Sequence, residues 1–142
     1  MRWLTWENVG VDRMGCAWLI LQFVDVDAEF KFVPIGQIPL LEGYEPFDIP
    51  GVRLSHRQGH CTFHTMLREY KLEDPLLHRI ASMIDEADVA QDIMVEPVAA
   101  GLDFLCRGVR LISPDDQTAL ERGRMLYDAL YAQLAIENQG AE

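Results

Sequence analysis

The chain has 142 residues, with 12 Lys and Arg against 23 Asp and Glu and a net charge of −11. A phosphate backbone is repelled by such a balance, so the domain is read as binding no nucleic acid on its own. Hydrophobic residues at 49% are too many for a disordered segment.

A chain of this length is expected to be a single domain, 1–142, with core enough to fold without a disulfide or metal. Its first residues do not resemble a secretory signal. The longest apolar stretch, Met14 to Val24, is shorter than the ~20 residues a membrane span requires. A cytoplasmic protein with no membrane partner is therefore expected. Cys16, Cys61 and Cys106 are too scattered for a disulfide framework, and Cys16 and Cys106 lie in apolar segments where a thiol packs as a small core group.

Residues 2–7, with Trp3, Leu4 and Trp6, predict a first strand. Asp12 is placed to cap a helix from Arg13 to Val24 that is apolar nearly all round and hence buried. Glu29 to Val33 alternates and predicts a half-buried strand. Residues 34–51 hold Pro34, Pro39, Pro46 and Pro50 and predict a long structured loop. Val52 to His56 alternates again, so a strand is expected with His56 pointing inwards beside Val52 and Leu54. Thr62 is placed to cap a helix carrying Phe63, Met66, Leu67 and Tyr70, and Asp74-Pro75 starts the next. A further helix is expected over Pro97 to Arg107. Ser113-Pro114-Asp115-Asp116 opens the last one, whose stripe is Leu120, Gly123, Leu126, Tyr127, Leu130, Tyr131 and Leu134. Strands first and helices after give the class α+β, with a small β-sheet packed against a mainly helical C-terminal half.

The densest chemical feature is His56-Arg-Gln-Gly-His60-Cys61-Thr-Phe-His64. Imidazole and thiolate together suit a transition metal such as zinc or iron, with Asp88 as a further carboxylate. The bland alternative is a polar turn with His60 and His64 in solvent, Cys61 buried, and His56 hydrogen-bonded in the core. Arg13 beside a helix N-terminus could hold an oxyanion, although Asp12 opposes it; the alternative is a cap and a structural ion pair. The acidic run Asp85, Glu86, Asp88, Asp92 and Glu96 lacks calcium-loop spacing and reads as a solvated surface, with Asp88 able to reach a site built elsewhere. The helices across residues 62–88 could pass for a helix-turn-helix, but six acids there face three bases, the wrong sign for a DNA groove. Trp3, Trp6 and Trp18, with the stripe of the last helix, could exceed what one core needs, which makes a homodimer an expectation.

Several segments together carry a family resemblance. They are Val11-Asp12-Arg13-Met-Gly-Cys16-Ala-Trp18-Leu19-Ile20 with Phe23 and Asp25, Ala28-Glu29-Phe30, Phe47-Asp48-Ile49-Pro50-Gly51, Leu54-Ser55-His56, Cys61-Thr62-Phe63, Ala99-Ala100-Gly101-Leu102, Asp115-Asp116 and Tyr127-Asp128-Ala129-Leu130-Tyr131. In this ensemble the chain resembles the chromate-resistance family, specifically the C-terminal domain of ChrB-type proteins, over nearly its whole length. The resemblance implies a sensing or accessory role in chromate resistance. It places Asp12, Arg13, Cys16, His56 and Cys61 at family positions. His64 stands where an acidic residue is commoner, and no histidine stands near Asp85, where one is frequent. Longer relatives carry a preceding DNA-binding domain, and this chain starts where that would end.

The leading expectation is a metal- or oxyanion-responsive accessory domain. Metal would fall to His56, Cys61, His64 and Asp88, and a small oxyanion or substrate to Arg13, Asp12 and Cys16. A small metal-dependent hydrolase or reductase using the same pocket, and a purely structural interaction domain, are the alternatives.

Overall fold

A computed structural model describes residues 1–89 and 93–139. Strand β1 (Arg2–Trp6) lies between β2 (Glu29–Val33) and β3 (Glu45–Pro46), and both neighbours run parallel to it. Parallel neighbours need a crossover. Helix α1 (Val11–Leu19), whose last turns widen into a π-helix at Ile20–Val24, supplies it between β1 and β2. As the central strand, β1 buries Trp3, Leu4 and Thr5 in succession. The remaining helices, α2 (Thr62–Glu69), α3 (Pro75–Asp88), α4 (Val98–Ile112) and α5 (Asp116–Asn138), come after the sheet. The class is α+β, as the order of elements predicts.

Helix α1 is buried along almost every residue and touches α2, α3, α4 and α5. Close approach is possible because residue 15 has no side chain. A Cβ on Gly15 would stand 2.9 Å from Ile84 Cδ1 and 2.9 Å from the Tyr127 hydroxyl. Tyr127 itself is fixed, donating to the Val11 carbonyl at 2.5 Å. Gly15→Ala is therefore expected to destabilise the fold by about 1–3 kcal/mol through overpacking, despite its better helix propensity. Urea unfolding checks this, and unchanged or increased stability would contradict it.

Local chemistry sets the helix ends. Asp74 caps α3 by accepting the Leu76 N–H at 2.9 Å, with Pro75 at the first helical position. Asp115 caps α5 through the Thr118 N–H at 2.8 Å. Asp116 instead reaches back to the Asn8 and Val9 N–H groups at 3.3 and 3.0 Å, tying α5 to the loop before α1.

Several expectations are corrected. Residues 52–56 form bends around one bridge between Phe47 and Leu54. The Ser55 hydroxyl donates to the Val52 carbonyl at 2.6 Å and closes a turn, so the alternation of five residues does not become a strand. His56 consequently swings out, with 47% of its side chain exposed. Helix α1 begins at Val11, so Asp12 lies inside it rather than before it, and Gly10 is the uncapped N-cap. Helix α4 runs on to Ile112, past the expected end at Arg107. The acidic run is not a solvated face: Asp85 is buried, Glu86 accepts the Val95 and Glu96 N–H groups, and Glu96 lies 3.6 Å from Arg79. Asp92 lies outside the described residues.

Candidate functional site

Asp12 organises the site. Its carboxylate is 2% exposed, and it points from the first turn of α1 to the start of α2. There it accepts the N–H of Thr62 at 2.8 Å and of Phe63 at 3.0 Å. Those are two of the orphan donors that every helix start leaves, and a negative charge there is favoured by the helix dipole. Asp12 is thus the cap of α2, supplied by a residue fifty positions away. Its Oδ2 also lies 2.9 Å from His56 Nε2.

Asp48 approaches from the Pro- and Gly-rich loop, with a left-handed φ of 53°. It accepts the Thr62 hydroxyl at 2.6 Å and lies 3.0 Å from Arg13 Nε. Arg13 also holds the backbone of that turn, donating to the Asp48 carbonyl at 2.7 Å and to the Glu7 and Trp6 carbonyls at 3.1 and 3.3 Å. Burial and the neighbouring Asp12 charge push the Asp48 carboxyl up to about 7, against the pull of Arg13.

His56 completes the group. Its Nε2 is 3.7 Å from Asp48 Oδ1 and 3.3 Å from Asp88 Oδ2 at the end of α3. The hydrogen bonds to Asp12 and Asp88 raise the imidazole to about 10, so it carries a proton at neutral pH, and a metal at Nε2 would have to displace that proton. Asp12, Asp48 and His56 offer ligand atoms within 4.8 Å of one another, while Asp88 meets the group through the imidazole. They line a cleft of about 530 Å³ that also takes in Trp6, Asn8 and Ile49.

The other sequence candidates are placed elsewhere. His60 Nδ1 lies 2.7 Å from Asp85 Oδ2, and its ring stacks on His64 at 3.9 Å. Cys61 is fully buried, with its N–H on Asp85 at 2.7 Å and its Sγ 3.7 Å from the Ala81 carbonyl. Burial drives the Cys61 and Cys16 thiols well above their ordinary range. Cys16 Sγ lies 3.5 Å from Asp12 Oδ1 and has no exposure. The structure therefore brings His56 and Asp88 together with Asp12 and Asp48, sets Cys16 behind Asp12 with no exposure, and turns Cys61 and His64 towards other partners.

Asp48 is the member that residue-by-residue reading passed over. Its signal was its place in Phe47-Asp48-Ile49-Pro50-Gly51, one of the segments carrying the family resemblance, in the long loop.

The family model described as "ChrB, C-terminal domain" matches residues 3–134. The chain belongs to the ChrB C-terminal domain family. Protein ChrB of Cupriavidus metallidurans is 32% identical over 132 residues. That alignment takes in 92% of this chain and 40% of the relative, so the chain spans well under half the length of that ChrB. No solved structure matches. All the residues of the cleft group lie within the span matched to the ChrB family. Among the described residues, no helix is long and apolar enough to cross a membrane.

Proposed function

We propose that this domain is a metal-responsive accessory domain acting in chromate resistance, with a divalent transition metal held by Asp12, Asp48 and His56. Membership of the ChrB family points to chromate resistance. The convergence of two carboxylates and an imidazole within 4.8 Å carries the metal reading.

The donor spacing fits an ion. Bonds of about 2.0–2.2 Å put neighbouring ligand atoms roughly 3.0–3.5 Å apart in octahedral or tetrahedral geometry. From His56 Nε2 the carboxylate oxygens stand at 2.9, 3.3 and 3.7 Å. One imidazole with two or three carboxylates and no thiolate suits iron(II), zinc(II) or manganese(II) rather than copper(I).

A direct oxyanion site is less well supported. Arg13 gives its terminal nitrogens to three backbone carbonyls and pairs in charge with Asp48, and Cys16 is closed off. Calorimetric titration of metal-free protein with zinc(II) or manganese(II) tests the reading. One ion per chain is expected, and no saturable uptake of either ion would overturn it.

A further inference from the structure

Helix α4 buries only a narrow stripe, Ala99, Leu102 and Cys106, with Val109 half-buried beside it. The rest of its apolar surface faces outwards. Val98, Phe104, Leu105, Leu111 and Ile112 are 44%, 77%, 55%, 76% and 73% exposed. At about 3.6 residues per turn, residues seven apart lie almost on one line along a helix. Gly101 and Gly108 form such a line, and a Cβ on either would meet nothing within 4 Å. Phe104 and Leu111 run along one side of it, and Val98, Leu105 and Ile112 along the other. The result is an open groove between two apolar ridges. The charged residues of α4 lie off this face: Asp103 pairs with Arg107, and Arg110 reaches Asn8.

We propose that this face is a dimer interface, and that its occupant is α4 of a second copy running antiparallel across a two-fold axis. The pattern is its own complement. Reflected about the point between Phe104 and Leu105, Gly101 meets Gly108, Phe104 meets Leu105, and Val98 meets Leu111. A two-fold contact requires this kind of reciprocity, in which residue i touches j and j touches i. Paired glycines let two backbones approach closely, and the ridges of each copy then enter the groove of the other.

The area is also adequate. At about 100 Å² apiece, the five large α4 side chains offer roughly 500 Å², at the upper range of what a monomer leaves bare. Ile93, Met94 and Val95, which lead into α4, are 73%, 64% and 71% exposed. Burying the α4 strip on both copies covers roughly 1,000 Å², about what a biological interface needs to clear. Of the surfaces that sequence reading offered for a homodimer, Trp3, Trp18, Leu120, Gly123, Tyr127 and Leu134 are buried, and Trp6, Leu126, Leu130 and Tyr131 are half-buried.

Sedimentation equilibrium on the full chain, with a register-specific cross-link, tests the proposal. The wild type is expected to be dimeric at tens of micromolar. Leu105→Glu is expected to be monomeric with unchanged circular dichroism and melting, since that side chain already faces solvent. The double variant Gly101→Cys/Gly108→Cys should form interchain disulfides on mild oxidation, and the single variant Gly101→Cys should not. The native thiols do not interfere because all three are buried. A monomeric wild type across that range overturns the proposal, as does a dimer that survives Leu105→Glu. Cross-linking by Gly101→Cys alone would rule out the antiparallel register.

Discussion

Asp12→Ala is expected to lower the unfolding free energy by about 3–5 kcal/mol. The carboxylate is 2% exposed and accepts two backbone N–H groups of α2 together with the His56 ring. Alanine fills none of these roles. Each buried N–H left without an acceptor costs about 1–3 kcal/mol, and water has little access to replace the oxygen at Thr62, which is fully buried. The imidazole also loses the first of the hydrogen bonds that keep it charged. Asp12→Asn should be milder, because its carbonyl oxygen still accepts one N–H, but its NH2 then faces a second donor. Urea unfolding monitored by tryptophan fluorescence reads both variants. A loss below about 1 kcal/mol in Asp12→Ala would mean that α2 finds another cap.

His56→Ala is expected to weaken zinc or manganese binding by roughly a hundredfold while leaving the fold intact. The imidazole is 47% exposed and packs into no core cluster. Its removal costs the site its only nitrogen donor and leaves the two carboxylates and water to hold the ion; a lost outer-shell partner already costs about 10–100-fold, and a direct ligand costs at least the upper end of that range. Cys61→Ser serves as the control. Its sulfur faces the Ala81 carbonyl inside the core, so metal affinity should stay within about twofold of wild type even where stability falls. Calorimetric titration of the three proteins side by side distinguishes the cleft from the His60–Cys61–His64 segment. Loss of affinity in Cys61→Ser with His56→Ala unaffected would move the site to that segment.

Much of the fold was legible because the signals were local. Trp3-Leu4-Thr5 reads as a strand and Glu29 to Val33 as another. Asp74-Pro75 and Asp115 mark helix starts through caps that lie next to the N–H groups they serve. What was not legible depends on distant pairs. Asp12 looks like the cap of its own helix, yet its acceptors serve α2, fifty residues on. Thr62 looks like the cap of α2, yet its hydroxyl donates to Asp48. A run of five alternating residues from Val52 to His56 could not reveal that Ser55 closes a turn and sends His56 outwards. The same limit applies to the site. Spacing along the chain drew attention to His60, Cys61 and His64, whereas the carboxylates that surround His56 come from α1, a loop and the end of α3. Composition found the histidine, and only tertiary structure could find its neighbours.

The metal reading is tested most directly by growing crystals with manganese(II) and mapping the anomalous signal. One peak is predicted about 2.0–2.2 Å from an oxygen of Asp12, an oxygen of Asp48 and Nε2 of His56. A peak beside His60, His64 and Asp85, or no peak in the cleft at saturating manganese, would contradict it.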